Sequence, residues 1–240
     1  MEKRSVALDG PSAAGKSTLA RKAAQRFGFI YVDTGALYRC VGLHVLRNDA
    51  LPRDEAAVIG LLPEIRLEIM YDEDGIQRML LCGEDVTDHI RAPQVSSYAS
   101  DVSALPKVRE FLLSMQREMA VKYDVIMDGR DIGTVVLPGA GLKVFINAQP
   151  DERAKRRYLE LLERNYDTTL ERVREEMRIR DKNDSERAAA PLIPAEDAVF
   201  LDTTDMDLQQ SFTALCDLIC RRFPGLIGKS FKQGKKEADI

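Results

Sequence analysis

The chain has 240 residues, which is enough for one large α/β domain or for a core with a smaller insert. Charged residues make up 31% of it and the formal net charge is −4, so we expect no general affinity for nucleic acid. No apolar run reaches the length of a signal-peptide core or a transmembrane helix, which predicts a cytoplasmic protein that does not bind membranes. The four cysteines form no C-x-x-C pair, and we expect them to be reduced thiols.

The first predicted elements are a strand, a glycine-rich loop and a helix. Ser5–Asp9 is a short apolar strand, and from Lys16 to Gly28 apolar residues recur on one helical face. In this context the loop is typical of a phosphate site, because its backbone N–H groups and the helix N-terminus point at an anion. Lys16 would reach the β- and γ-phosphates of a nucleotide, and Ser17 would hold Mg²⁺; the alternative is a chance match in an ordinary turn. The predicted nucleotide-binding residues follow G-x-x-x-x-G-K-[ST] and are Gly10, Pro11, Ser12, Ala13, Ala14, Gly15, Lys16, Ser17 and Thr18.

An inserted sheet is predicted after the second strand and its helix. Residues 29–32 form an apolar strand that ends at Asp33, and an amphipathic helix follows. Between residues 64 and 92 apolar and polar residues alternate with a period of two, with turns at 72–75 and 83–85. This pattern predicts a small antiparallel sheet that interrupts the alternation of strands and helices.

The second half of the chain returns to that alternation. A helix is predicted over residues 107–122, and apolar strands over residues 125–127, 143–146 and 198–201. With the first two strands, these predict a five-stranded parallel sheet covered by helices on both faces.

Acidic residues stand at the carboxyl ends of three predicted strands. They are Asp9, Asp33 and Asp128, the last of which begins the run Asp128-Gly129-Arg130-Asp131. Because ligands gather at the carboxyl ends of parallel strands, we expect the three segments to meet in one cleft.

Residues 151–187 carry nine arginines. Thr168 and Glu171 predict a capping box at the start of the second helix in this segment. One interpretation is a solvated helical hairpin with Glu–Arg pairs, which most of these arginines would form. The other, which we favour for two or three of them, is a lid whose inner arginines fold over phosphates. The lysine-rich residues 229–240 are expected to be a disordered tail.

The motifs occur in a fixed order along the chain: the loop over 10–18, residues 33–39, Ala99-Ser100, residues 108–110, residues 128–134, residues 180–187 and Ala190-Pro191-Leu192. In this order the set resembles the bacterial cytidylate kinases, a family of P-loop nucleoside monophosphate kinases. The similarity spans residues 1–227 and includes the inserted sheet, which other nucleoside monophosphate kinases lack. Ala13 stands where some members of the family have glycine.

The resemblance implies an α/β P-loop kinase fold with one kinase domain over residues 1–228. Its core would comprise residues 1–63, 93–150 and 188–228. The insert would be residues 64–92, on the side of the acceptor, and the helical lid residues 151–187.

The resemblance also implies that a monomeric enzyme transfers the γ-phosphoryl group of ATP to CMP or dCMP, with Mg²⁺. Lys16, Arg130 and Asp131 would be the catalytic residues. Ser17 would hold the metal, and Asp128 would hold it through water. The implied acceptor-binding residues are Tyr38, Arg39 and Arg130 for the phosphate, Thr34, Arg109, Asp131 and Arg187 for cytosine, and Ser100, Arg180 and Asp184 for the sugar.

Two other classes of protein share the glycine-rich loop. A nucleotide-dependent switch or motor would have it, but the N-K-x-D motif with which GTPases read their base is absent from the sequence. A kinase for another small acceptor would share the whole fold.

Overall fold

The computed structural model describes residues 3–226, so the tail expected at 229–240 lies outside the described residues. The strands, in chain order, are β1 (Ser5–Asp9), β2 (Ile30–Asp33), β3 (Leu67–Tyr71), β4 (Gln77–Leu81), β5 (Glu84–Asp85), β6 (Val125–Gly129), β7 (Leu142–Asn147) and β8 (Val199–Asp202). Five of them form one parallel sheet in the order β2-β6-β1-β7-β8. The predicted five-stranded parallel sheet is therefore confirmed.

The helices are α1 (Lys16–Phe27), α2 (Thr34–Arg47), α3 (Glu55–Leu61), α4 (Pro93–Val102), α5 (Pro106–Lys122), α6 (Pro150–Glu163), α7 (Leu170–Glu186) and α8 (Leu208–Arg222). Because successive side chains of a strand point to opposite faces, Val6 and Leu8 pack in a core with α1 and α8. Ala7 packs on the other face, in a core with α2 and α5. Within residues 3–226, no helix is long and apolar enough to cross a membrane.

The edge strand β8 departs from the prediction that helices cover both faces of the sheet. Val199 and Phe200 are 39% and 66% exposed. No helix precedes β8 directly, since residues 187–198 are irregular. Phe200 instead packs on Phe145 of β7, with ring centroids 5.6 Å apart. The flanking of the sheet by helices is thus confirmed, and the cover is incomplete at this edge strand.

The inserted antiparallel sheet is confirmed, with the strand order β3-β4-β5. Leu67 pairs with Leu81 across the first hairpin. The turn predicted at 83–85 is wrong, because Glu84–Asp85 is the strand β5 and pairs with β4. The reversal needs only Cys82 and Gly83, both with positive φ (53° and 84°), which suits a two-residue hairpin turn.

Helix α4 was not predicted from the sequence. Its buried residues Val95, Ala99 and Val102 have helical spacing, and Pro93 starts the helix. It packs closely on α2, where a Cβ on Gly42 would lie 2.9 Å from the backbone N of Ala99. The helical pattern is weak because the segment is short and rich in small residues.

Helices α6 and α7 pack against each other through a small core of their own, made of Ala154, Leu161, Val173 and Met177. The capping box predicted at Thr168 is wrong by one residue. Thr169 is the N-cap of α7, and its Oγ1 accepts a hydrogen bond from the backbone N of Arg172.

Candidate active site

A cleft of about 790 Å³ opens at the carboxyl ends of the parallel strands. The strand register aligns the ends of β1, β2 and β6, because Asp9 pairs with Gly129 and Asp33 pairs with Asp128. The segments that follow β1, β2 and β6 therefore leave the sheet at one level. The predicted meeting of these three segments is confirmed.

The glycine-rich loop adopts a conformation that requires glycine at two positions. Gly10 has φ 145°, and a Cβ there would lie 1.9 Å from the carbonyl oxygen of Ile146. Gly15 has φ 87° and directly precedes α1. No side chain caps the N-terminus of α1 and its first turn has no acidic residue, so the amides there are free to bind an anion.

Lys16 lies under this loop and is buried. Its Nζ donates a hydrogen bond to the carbonyl oxygen of Pro11, at 2.7 Å. Burial, and then the neighbouring Arg130, lower the pKa of Lys16 to about 7. An anion in the loop would favour the charged ammonium group again.

Ser17 and Asp128 form the polar floor of the cleft. The hydroxyl of Ser17 donates to Oδ2 of Asp128 at 2.7 Å, and the hydroxyl of Tyr31 donates to Oδ1 at 3.0 Å. Burial, and then the proximity of Asp33, raise the pKa of Asp128 to about 6. A buried carboxylate in this state would be stabilised by a further cation.

Asp33 organises the start of α2. Its Oδ1 accepts from the backbone N of Ala36 at 3.0 Å, and its Oδ2 pairs with Nη2 of Arg39 at 2.8 Å. Burial opposes ionisation, but Arg39 and Arg91 hold the pKa of Asp33 below its usual value. The neighbouring Thr34 donates its hydroxyl proton to the backbone oxygen of Asp128 at 2.7 Å.

In the segment after β6, the neighbouring residues Arg130 and Asp131 form ion pairs with different partners. Nε of Arg130 lies 2.8 Å from Oδ2 of Asp184 on α7. Asp131 is held between two arginines: Arg109 of α5 binds one carboxylate oxygen and Arg187 lies 3.3 Å from the other. The segment after β6, α5 and the C-terminal end of α7 thus position three ion pairs in this part of the site.

Asp9 supports this segment from below. It is buried, and its two carboxylate oxygens accept from the backbone N–H groups of Ile132 and Gly133, both at 2.7 Å. Burial raises the pKa of Asp9 to about 6, against the effect of those two hydrogen bonds. We singled out Asp9 from the sequence only as a strand end, and its position after a buried strand gives no indication of these partners.

The arginines of residues 151–187 divide into three groups. Some pair with acids on the outer surface, as Arg172 does with Glu176 and Arg178 with Glu175. Arg153 instead ties α6 to α7 through Asp181 at 2.7 Å, and to the loop through the carbonyl oxygen of Ser12 at 3.2 Å. The arginines of this segment that line the cleft are Arg156, Arg157, Arg164, Arg180 and Arg187.

Cationic side chains outnumber acidic side chains in the lining of the cleft by ten to six, in a protein whose net charge is −4. Nε of Arg39, Nε of Arg180 and Oγ of Ser100 are also buried with no hydrogen-bond partner in the described structure. Burial, and then Arg130, lower the pKa of Arg180 to about 10. Such a site is suited to a ligand with several negative charges.

Most of the predicted site residues line this one cleft. Gly10 and Pro11 do not, and neither does Arg109, which contacts the cleft through Asp131. The predicted residues in the lining are Ser12, Ala13, Ala14, Gly15, Lys16, Ser17, Thr18, Thr34, Tyr38, Arg39, Ser100, Asp128, Arg130, Asp131, Arg180, Asp184 and Arg187. Arg21 and Arg91 also line it and were missed, because neither lies in a recognised motif.

The family model and the related sequences agree on one family. A family model described as cytidylate kinase matches residues 6–221. A cytidylate kinase from Caldicellulosiruptor bescii is 47% identical over 218 residues, which cover 91% of this chain and 96% of the relative. One from Carboxydothermus hydrogenoformans is 44% identical, over 90% of this chain and 97% of the relative. Among solved structures, a shikimate kinase from Bacteroides thetaiotaomicron has 14% identity and a TM-score of 0.44, over 90% of this chain and 98% of that one.

The geometry around Asp9 leads to a prediction about stability. In Asp9→Asn, one backbone N–H of Ile132 or Gly133 would face an amide NH₂ group and lose its acceptor. Leaving one buried donor unsatisfied should lower the free energy of unfolding by about 1–3 kcal/mol. Chemical denaturation at pH 7 measures this. Asp167→Asn, at an exposed position, is the control and should match the wild type. Equal midpoints for the two variants would show that the carboxylate of Asp9 does not support the segment.

Proposed function

The chain belongs to the cytidylate kinase family, and from this premise we propose how its cleft transfers the γ-phosphoryl group of ATP to CMP or dCMP, giving ADP with CDP or dCDP. The observation that carries the proposal is the meeting of two halves in one cleft. The glycine-rich loop with Lys16 forms one half, and the charged pairs of Arg130 and Asp131 form the other.

The phosphates of ATP would bind to the loop over residues 10–18. The uncapped N-terminus of α1 supplies backbone N–H groups, and Lys16 lies beneath them with its single hydrogen bond to Pro11. Bound phosphate would draw Nζ of Lys16 towards the β- and γ-phosphates and restore its positive charge. Lys16 would then stabilise the charge on the transferring group.

Ser17 and Asp128 fit a Mg²⁺ ion held mainly by phosphates and water. Within residues 3–226 no three His, Cys, Asp or Glu side chains cluster in a way that could hold a metal alone. This agrees with the preference of Mg²⁺ for one or two protein oxygens in kinases. The hydroxyl of Ser17 would bind the ion and Asp128 would contact it through water. The ion would supply neutralisation of the charge on the β- and γ-phosphates.

The phosphate of CMP would bind opposite the loop, to Tyr38, Arg39 and Arg130. Nε of Arg39 is buried without a partner, so this arginine has hydrogen-bonding capacity to spare beyond Asp33. Arg130 is oriented by Asp184. These cations would position an acceptor that is already an anion, so no general base is required.

The nucleoside would be read by the charged pairs around Asp131. A carboxylate oxygen of Asp131 would accept from N4 of cytosine, with Thr34, Arg109 and Arg187 completing the base site. Ser100, Arg180 and Asp184 would contact the sugar, and Oγ of Ser100 and Nε of Arg180 are free for that purpose in the described structure.

We further propose that residues 1–228 act as one monomeric kinase domain, with the insert over 64–92 beside the acceptor and the lid over 151–187. The cleft-facing arginines of residues 151–187 support the lid, because they place positive charge where phosphates would bind. Two of them, Arg157 and Arg164, also pair with Glu160 as they would in a solvated hairpin. A cytoplasmic location is supported by the four free thiols and by a nucleotide substrate pair. The net charge of −4 argues against a nucleic-acid partner.

The test of the proposed function is a coupled ADP-release assay with a panel of acceptors. CMP and dCMP should be phosphorylated, and UMP, AMP, GMP and shikimate should be poor acceptors. Light scattering of the same sample measures the oligomeric state. A preference for any acceptor other than CMP or dCMP would replace the proposal with a kinase for that acceptor. ATP hydrolysis that no acceptor stimulates would favour a switch or motor.

Asp131 is predicted to distinguish cytosine from uracil. A carboxylate accepts from the amino group of cytosine but faces a carbonyl in uracil, and such sites can discriminate by roughly 10⁴-fold. In Asp131→Asn the side-chain amide can accept from one base or donate to the other, so most of this preference in kcat/KM should disappear. Equal losses of activity on CMP and on UMP would mean that Asp131 only holds Arg109 and Arg187 in place.

The lid is predicted to close over bound nucleotides. Amide hydrogen exchange in α6 and α7 should slow when a bisubstrate analogue fills both sites, because closure protects backbone hydrogen bonds. Helix α3, which contributes no residue to the lining of the cleft, serves as the internal reference and should not change. Unaltered exchange over residues 151–187 with the analogue bound would identify the segment as a static helical hairpin.

A further inference from the structure

The insert closes the free edge of the central sheet with two side chains. Strand β2 is at the edge of the sheet, and the N–H of Ile30 points to β6. The backbone groups of Tyr31 and Asp33 alternate with those of Ile30 and therefore point away from β6. The hydroxyl of Tyr71 donates to the carbonyl oxygen of Tyr31 at 2.8 Å, and Oε1 of Gln77 accepts from the N–H of Asp33 at 2.8 Å. The insert thus replaces a missing neighbouring strand at these two groups.

Gln77 is held in one orientation by its surroundings. It is 6% exposed and lies opposite Tyr71 in the β3–β4 hairpin. Its Nε2 donates to Sδ of Met79 at 3.1 Å and lies 3.5 Å from the carbonyl oxygen of Asp33. A cavity beside it measures about 10 Å³, which is at the lower limit for one water. A side chain of equal volume would therefore leave space for one water at most beside Asp33.

The residue that Gln77 holds is the one that orients Arg39. Asp33 caps α2 through Ala36 and forms the ion pair with Arg39 at 2.8 Å. A displacement of the Asp33 backbone would move both the start of α2 and the guanidinium group. The chain of contacts from the insert to the cleft is therefore continuous and short.

We propose that Gln77 is a positioning residue for the acceptor, because it fixes Asp33 and through it Arg39. The insert is then a working part of the acceptor site as well as a cover for the sheet edge. The inference rests on the proposed function, in which Arg39 binds the phosphate of CMP. A purely structural role would affect stability and both substrates alike, since β2 also carries Tyr31 beside the donor half of the cleft.

The test compares the steady-state constants of three variants with the wild type. Gln77→Met keeps the volume and removes the acceptor oxygen. Gln77→Glu keeps an acceptor oxygen for the N–H of Asp33, with Arg21 and Arg91 lining the cavity beside it. Glu68→Gln, exposed on β3 of the same insert, is the matched control.

We expect Gln77→Met to raise the KM for CMP by about tenfold, the lower end of what the loss of a supporting contact costs. The KM for ATP and the kcat should stay within about twofold of the wild-type values, because the substitution does not displace Lys16 or Ser17. Gln77→Glu should recover most of the affinity for CMP, and Glu68→Gln should not differ from the wild type. Thermal unfolding of each variant confirms that it is folded.

Two results would overturn the inference while leaving the proposed function intact. One is a KM for CMP in folded Gln77→Met that equals the wild-type value. The other is an equal rise in the KM values for CMP and ATP. If Gln77→Met does not fold, Gln77→Asn decides in its place, because its shorter amide cannot reach Asp33 and should show the same selective loss. A wild-type protein that does not phosphorylate CMP would refute the proposed function instead.

Discussion

The site depends on three carboxylates that remain buried at the carboxyl ends of β1, β2 and β6. The cost of burying each carboxylate is offset by a different kind of partner. Asp9 accepts from two backbone N–H groups, Asp33 pairs with Arg39, and Asp128 accepts from two hydroxyl groups. Because an uncompensated buried charge is costly, these partners determine where the surrounding segments lie. Asp128, whose partners are neutral hydroxyls, has a pKa raised to about 6 and is the one best placed to face a cation.

The cationic side chains in the cleft, unlike these carboxylates, include some that lie close to other cations. Lys16 is buried and Arg180 is half-buried near Arg130, and desolvation together with that neighbour lowers the pKa values of both. A free enzyme therefore holds like charges close together, which costs free energy that a polyanionic ligand offsets on binding. The same arrangement suits phosphoryl transfer, in which the protein neutralises and positions more than it reacts covalently.

The insert and the α6–α7 hairpin approach the cleft from different elements, and each has a polar side chain whose contacts reach the site. Arg153 connects α6, α7 and the glycine-rich loop, and Gln77 connects the insert to Asp33. Neither residue belongs to a recognised motif. Contacts of this kind fix a loop or a strand end in the cleft relative to the segment that carries the side chain.

The sequence alone determined the parallel sheet, the glycine-rich loop and the family. Periodicity and turn residues are local signals. Gly10 is required because a Cβ there would clash with the backbone of Ile146, and Gly15 is required because its φ is positive. The same local signals failed at Glu84–Asp85, at α4 and at Thr168, where a short element or a cap is decided by one or two hydrogen bonds.

The resemblance assigns Arg109, Asp131 and Arg187 to one base site, but only the tertiary structure decided which of the charges form ion pairs. Arg109 and Arg187 are far from Asp131 in the chain, as Asp9 is from Ile132 and Gln77 is from Asp33, and the fold makes each of these contacts. Local patterns report which face of an element is apolar, but they carry no information on the partner of a buried polar group. The partner is set by strand register and by the packing of segments that are distant in sequence.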